Sequence, residues 1–356
     1  MKVAIIILGN SWVCPYVNTY RKILEKNGCE YDVILWDRDG SDASAPFRFS
    51  SGSANLNNPL SKAFSYLRYA DFIKKTISEN GYDRLIVSGP HLAILLSGIL
   101  RKRYKGRYVI DYRDISVEQH LLLGGVYSKV LENSSCNVIS SPGFRKHLPA
   151  QYDYLVSHNF DFGAAVRSVE GKQPSYSGKT PINILTIGYI RNFSSNSKII
   201  DSLKNNVGYR MLFAGHGEAS DSLKECALSN NVDNVEFVGF YGKEEEASIV
   251  AGCDFINIFF PDDIKHSTIM SNRFYLALIH KKPMIVTAGS VQAGLVARYG
   301  LGVVIGNDCE GLDEAIRNYL CTFSYDEFCE RCNTLLASCI EEHLAFEKAV
   351  SGLFKA

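Results

Sequence analysis

Arg191 and Lys198 lie in the stretch YIRNFSSNSK, directly after the apolar run INILTIG, whose last residue is Gly188. Such a run reads as strand, loop and helix, with Arg191 in the loop and Lys198 on or near the first helical turn. Cations beside free helix N–H groups can neutralise a diphosphate, although loop cations are also common on plain surfaces. The next strand-like run, YRMLFAG, leads into GHGEAS, where Gly215 and Gly217 bracket His216 ahead of Glu218. Bare backbone there leaves room for a flat base or a ribose. A third loop, PDDIKHSTIMSNR, opens a helix near Asn272 and Arg273, and an amide and a guanidinium at a helix start suit an anion or a ribose. Helix capping by Ser271 or Asn272 is the plainer reading. Lys281-Lys282-Pro283 should end that helix and return the chain to a core strand, leaving Asn272 and Arg273 to face a ligand cleft.

The first half offers two further loops. Gly9 and Asn10 follow the opening run VAIIIL and can hold a phosphate or a sugar hydroxyl, or form a tight turn with no ligand. DYRDISVEQH supplies Arg113, Asp114, Glu118 and His120, enough for a general acid or base. His120 also reads as a buried, satisfied histidine. Neither Gly9 nor Gly188 begins a G-x-G-x-x-G fingerprint, which argues against a nicotinamide dehydrogenase. No P-loop, G-x-S-x-G elbow or HExxH motif appears.

The elements that must position these residues are strands alternating with amphipathic helices. KVAIIIL, YDVILWD, YDRLIVSG, GRYVIDY and CNVISS are strands of the first half, separated by helices near 59–80, 91–103 and 117–134. INILTIG, YRMLFAG, VEFVGF, CDFINIFF, KPMIVTAG and LGVVIG repeat the pattern in the second. This alternation predicts an α/β chain with two Rossmann-like parallel-sheet domains, in keeping with 356 residues at 46% hydrophobic content. The expected boundaries are 1–166 for the first domain, 167–180 for a Gly/Pro/Ser-rich linker, 181–324 for the second domain, and 325–356 for C-terminal helices packing back on the first.

Ten scattered cysteines are expected to be reduced. CERC has zinc-knuckle spacing without a second close pair, so Cys329, Cys332 and Cys339 read as core residues on one helix face, and no metal is expected. The opening apolar run is too short for a signal-peptide core and no run reaches bilayer length, so a cytoplasmic, non-spanning chain is predicted. The net charge is zero, with the positive excess in the first half and the negative in the second. Two segments fit an anionic membrane surface: HLAILLSGIL with the cationic RKRYKGR after it, and PLSKAFSYLRYADFIKK, which interleaves aromatic and basic residues. Both fit an ordinary core helix as well.

Taken together, VIDYRDIS, ILTIGYIRNFSSNSKIIDSL, MLFAGHGE, VEFVGFYGKEEEASIVAGCDFINIF and NRFYLALIHKKPMIVTAG resemble the GT-B glycosyltransferases, specifically the group 1, family 4-like type that builds bacterial capsule, lipopolysaccharide and exopolysaccharide. The resemblance spans nearly the whole chain. It implies two domains facing across a cleft, a nucleotide-sugar donor in the second, a saccharide or lipid-linked acceptor in the first, retention of configuration, and no cofactor or obligatory metal. On that template Arg191 and Lys198 are the diphosphate clamp, Gly9 and Asn10 lie beside the donor sugar, and Gly188 and Gly215 to Glu218 belong to the nucleotide pocket. Asn272 and Arg273 lie near the pyrophosphate or ribose, His120 near the transferred sugar, and Arg113 and Asp114 on the acceptor side. No nucleic-acid partner is implied, and peripheral contact with the inner face of the membrane is. One departure stands out: the two glutamates of many relatives are replaced by Thr268 and Leu276. That opens two other readings, a non-catalytic subunit that binds nucleotide sugar or a partner transferase, and a nucleotide-sugar epimerase on the same architecture.

Overall fold

The computed structural model describes residues 1–38, 40–51, 58–171 and 180–355. The chain divides into two compact units, Met1–His158 with Glu342–Ala356, and Asn159–Glu341. Each is built on an all-parallel sheet. In the first, β1 (Lys2–Ile6), β2 (Glu30–Trp36), β3 (Phe47–Phe49), β4 (Arg84–Ser88), β5 (Tyr108–Tyr112), β6 (Cys136–Ile139) and β7 (Leu155–Val156) take the order β3-β2-β1-β4-β5-β6-β7. In the second, β8 (Ile182–Ile187), β9 (Tyr209–Ala214), β10 (Val235–Gly239), β11 (Phe255–Ile258), β12 (Met284–Thr287) and β13 (Gly302–Ile305) take the order β10-β9-β8-β11-β12-β13. Strand order therefore reverses between β1 and β4 and between β8 and β11, the places where open α/β sheets leave a crevice at their carboxyl ends.

Burial explains the elements. The central strands are largely apolar because helices cover both faces, with Asp111, Thr186 and Asn257 as buried polar exceptions. The helix Val17–Lys26 buries Val17, Tyr20, Ile23 and Leu24, one stripe at helical spacing, against Val3, Ile5, Val33 and Ile86. The helix Tyr325–Leu353 changes allegiance along its length. Phe328, Cys329, Cys332, Leu336 and Cys339 lie in the second unit's core, whereas Phe346 and Val350, with Phe354 just beyond, complete the first unit's core. Phe346 meets Tyr20 edge-on at 5.8 Å. The CERC cysteines are thus buried core residues, and all ten cysteines are free thiols.

The unit boundary differs from the one composition suggests. Residues 167–170 belong to the helix Phe162–Glu170, and Ala165 sits in the second unit's core, so the crossing falls at His158 and Asn159. The Gly/Pro/Ser-rich stretch follows that helix and leads to β8; its residues 172–179 lie outside the described ones, as do 52–57 of SSGSANLNN. The helix expected at 91–103 is two pieces, Pro90–Leu95 and Ser97–Lys102, broken beside Ser97-Gly98, where helix propensity is low. Leu92, Leu96 and Leu100 are fully buried, so this segment is core and its apolar face is not open to a membrane. The helix expected from 117 begins at Leu121, after a 3₁₀ turn. Among the described residues no helix is long and apolar enough to cross a membrane.

His158 is nearly buried and its Nε2 lies 2.8 Å from Glu342 Oε2. Burial holds the His158 pKa below its ordinary value, and the hydrogen bond from His158 holds Glu342 low as well. A depressed histidine stabilises the fold above its unfolded pKa, near 6.5, and loses that contribution as the pH falls. Melting temperature should therefore drop between pH 7.5 and 5.5, and His158→Gln, which keeps an amide donor without titrating, should flatten that slope. Equal slopes for the two proteins in differential scanning fluorimetry would refute the assignment.

Candidate functional site

In the second unit the crevice between β8 and β11 is organised by Arg273. The residue enters at the start of the helix Asn272–Ile279, capped by Ser271, whose Oγ accepts from Phe274 N at 3.3 Å. Its guanidinium turns inward to the backbone of the crevice. Nε donates to Ile187 O at 2.5 Å, and the two terminal nitrogens donate to Asn257 O at 3.3 Å and Tyr189 O at 3.2 Å. The ends of β8 and β11 are thereby tied to one side chain. Arg273 is only 9% exposed and has no carboxylate partner among the described residues. Burial is the main cause pulling its pKa down to about 10, and Arg191 adds to that pull. Of the five N–H groups of a guanidinium, two remain unassigned.

Arg191 is exposed in the loop ahead of the helix Phe193–Leu203, 4.8 Å from the centroid of the Tyr189 ring. Beneath that loop runs a buried polar chain. Asn257 Nδ2 donates to Thr186 Oγ1 at 2.9 Å and to Asn196 Oδ1 at 3.4 Å, and Asn196 Nδ2 donates to Arg191 O at 2.6 Å. Lys198 is in the second helical turn, not the first, and its Nζ donates to Asn307 O at 2.7 Å, in the loop after β13. An ammonium has three N–H groups, so two are left for another partner.

The glycines have a different role from the one their spacing suggests. A Cβ on Gly215, at φ +137°, would lie 1.9 Å from Gly188 O, and one on Gly217 would lie 2.3 Å from Ile190 O. Both are required by backbone packing between the loops after β8 and β9. Gly188 N donates to Ala214 O and Gly215 N to Gly239 O, so β8, β9 and β10 end in a row of left-handed glycines. His216 and Glu218 are exposed beside this bare shelf, and Phe240, at 88% exposure, stands at its far end. Asn272 is exposed, and its Oδ1 accepts from Asn159 Nδ2 at 2.8 Å. Lys281, buried at φ +54°, donates to Leu278 O and so satisfies a carbonyl where the helix ends, while Lys282 donates to Cys253 O, ahead of β11.

The first unit has its own polar centre at its own reversal point. Tyr16 and Ser88 hydroxyls lie 2.6 Å apart, bridging the segments after β1 and β4. Arg113 lies 4.2 Å over the Tyr16 ring and pairs with the fully buried Asp111 at 2.8 Å through both Nε and a terminal nitrogen. Burial pushes the Asp111 carboxyl up and the arginine pulls it back, so it is the pair that fixes the guanidinium. Asp114 is exposed next to it. Glu118 is fully occupied: Tyr112 Oη donates at 2.5 Å and Ser116 N at 2.9 Å, and these bonds outweigh burial and hold its pKa low. It is a scaffold carboxylate. His120 is exposed at the start of the helix Leu121–Glu132, not buried, and its ring has no partner among the described residues. Asn10 is buried, donating to Asp37 Oδ1 at 3.1 Å and accepting from Arg38 N at 3.3 Å, which ties the loops after β1 and β2 together. Gly9 has open space where a Cβ would stand.

Sequence reasoning missed Tyr16, Ser88, Asn196, Asn257 and the Asp263–His266 pair. Asn257 was signalled, since it interrupts the apolar run CDFINIFF. Thr268, at a position where relatives have a glutamate, is buried and donates to Ile264 O at 2.7 Å. Among the described residues no three His, Cys, Asp or Glu side chains are grouped to hold a metal ion.

Two Rossmann-like parallel-sheet domains with these strand orders are the GT-B fold of glycosyltransferases. Sucrose-phosphate synthase from Thermosynechococcus elongatus matches with a TM-score of 0.73 at 14% identity, over 99% of both chains. HepE from Anabaena, in complex with UDP, matches at 0.66 and 12%, over 99% of this chain and 100% of its own. The lipopolysaccharide outer core galactosyltransferase WaaB matches at 0.63 and 13%, over 93% and 94%. A UDP-GlcNAc 2-epimerase from Methanocaldococcus jannaschii is also similar, at 0.55. No protein-family model matches the chain, and no curated protein matches it in sequence. At such identities the likeness establishes the fold.

The two glycine environments make a direct test. Gly215→Ala should cost about 3 kcal/mol or more in chemical denaturation, since a backbone carbonyl blocks the new methyl and the φ is unfavourable. Gly9→Ala should stay within about 1 kcal/mol. A tolerant Gly215 would mean the loops after β8 and β9 are not in backbone contact.

Proposed function

We propose that this chain is a glycosyltransferase that moves a sugar from a nucleotide-sugar donor, bound by the second unit, to a saccharide acceptor. The observation that carries this reading is the buried Arg273 guanidinium with no counter-ion among the described residues, with Arg191 close enough to depress its pKa further. An uncompensated buried cation costs several kcal/mol, and a diphosphate at the β8–β11 crevice would offset that cost. Breaking a sugar–phosphate bond builds negative charge on the departing diphosphate, which fixed cations stabilise. Lys198 can add to the clamp through its two free N–H groups. The shelf of glycines, with His216, Glu218 and Phe240 at its margin, suits the nucleoside.

The finer parts of the proposal are a bacterial surface polysaccharide as the pathway, retention of configuration, and no need for a metal or cofactor. Arg113, Asp114 and His120 are proposed for the acceptor side. A lipid-linked acceptor, and contact with the inner face of a membrane, is favoured by Leu60, Phe64 and Leu67, which line the exposed side of the helix Pro59–Asn80 near Lys62, and by Leu121 and Leu122, exposed at 92% and 86%. These are too exposed to be core residues.

A nucleotide-sugar epimerase remains the second reading, because the fold matches one. A pure binding subunit would fit the loss of both glutamates. Incubation with UDP-, GDP-, ADP- and dTDP-sugars should raise the melting temperature with one base and release the free nucleoside diphosphate in the presence of chelator. Stabilisation without release would leave a binder, and an altered sugar on an intact donor would mark an epimerase. Arg191→Ala should lower turnover at least ~10-fold with unchanged melting temperature. Unchanged turnover would remove Arg191 from the mechanism. Anionic vesicles should co-sediment the chain more than neutral ones, and Leu121→Ser with Leu122→Ser should abolish the difference.

A further inference from the structure

We infer that His266 and Gln292 form the subsite that grips the hydroxyl edge of the transferred sugar, with His266 as a positioning residue oriented by Asp263. The inference rests on the donor reading above. It starts from a groove in the second unit, between the loops that follow β11 and β12, lined by Phe260, Asp262, His266, Thr287, Ser290 and Gln292. The groove is a shallow, solvent-open cleft with no enclosed volume. A pyranose cannot descend into it, so only a hydroxyl at its rim would be met.

Its two polar groups are set differently. Asp263 caps the helix Ile264–Thr268 with Oδ1, accepting from Lys265 N and His266 N at 2.9 Å each. Its Oδ2 lies 2.7 Å from His266 Nδ1. Those bonds outweigh burial and keep the Asp263 pKa low; with Nδ1 directed at the carboxylate, Nε2 is the ring nitrogen left to face the amide of Asn192 and the groove. Asn192 Nδ2 stands 3.3 Å from Nε2, a long contact from a residue held at φ +59°. A sugar hydroxyl can replace it with a shorter bond. Gln292 is 1% exposed. Its Oε1 accepts from Ser271 N at 3.1 Å and Ser271 Oγ at 2.8 Å, while its Nε2 has no partner among the described residues. An amide N–H with no protein partner is a ready donor, and a ligand oxygen in the groove would satisfy it. The imidazole nitrogen and the amide fit a pair of ring hydroxyls.

The groove is also correctly placed. Phe260 lines the groove and neighbours Arg273 as well, its ring centroid 5.8 Å from the His266 ring and 5.7 Å from the Arg273 guanidinium carbon. A sugar bonded to a phosphate at Arg273 reaches about that far. This assignment also supplies a carboxylate-backed polar group in the loop where Thr268 has none to offer.

The test compares nucleoside diphosphates with their sugars. UDP, GDP, ADP and dTDP, and UDP-glucose, GDP-mannose, ADP-glucose and dTDP-glucose, are titrated calorimetrically into wild type, His266→Ala and Gln292→Met. Both variants should bind the matching free diphosphate within about twofold of wild type and its sugar at least ~10-fold more weakly, the loss expected for one buried hydrogen bond. Monodeoxy analogues of the tightest sugar keep the test valid should Gln292→Met fold poorly. One analogue should bind wild type ~10-fold more weakly than its parent, and His266→Ala should no longer distinguish the two. Unchanged sugar affinity in His266→Ala, or no deoxy position coupled to it, overturns the subsite while leaving the donor reading intact. A wild type that binds none of the eight ligands overturns both.

Discussion

A charged side chain takes the place of a strand–strand contact at the middle of the second sheet. Arg273 holds Ile187, Tyr189 and Asn257 by their carbonyls, and those three residues define the rim of the crevice where the strand order reverses. Parallel sheets diverge there, so backbone carbonyls would otherwise be left to water. The guanidinium satisfies them and, in the same act, brings a positive charge with no carboxylate partner among the described residues to the point where the strand order reverses. Structure and chemistry share one residue. The loop carrying Arg191 inherits its position from this arrangement, through the Thr186–Asn257–Asn196 chain below it.

The first unit solves the same geometric problem with a different balance of charge. Its guanidinium, on Arg113, is neutralised by the buried Asp111 and stacked on Tyr16. A neutralised, rigid arginine is suited to orienting a polar, uncharged partner, whereas an unneutralised one attracts anions.

Much of the fold was legible because hydrophobic period and length are local properties. Every strand of four residues or more was marked by an apolar run; β3 and β7, with three and two residues at the sheet edges, were too short to leave a pattern. The sites were less legible, since they depend on where side chains point. Arg273 reads from sequence as a cation at a helix start; that it folds back beneath the crevice follows from carbonyls far away in the chain. Gly215 and Gly217 read as bare backbone beside a ligand; that a Cβ on either would strike a carbonyl of the loop after β8 is a tertiary fact. His120 lay in an extended break between helical segments that periodicity merged. Composition located a linker from residue 167, yet 167–170 are helical, because the Gly and Pro that marked it begin only beyond them.

The long C-terminal helix makes the first unit discontinuous in sequence. Its hydrophobic interior lacks Phe346, Val350 and Phe354 until all of the second unit has been synthesised. During translation the second unit can therefore condense while the earlier one still waits for its closing residues, an inversion of the usual vectorial order. A lesion at Phe346 or Val350 would injure the sheet that begins at Lys2.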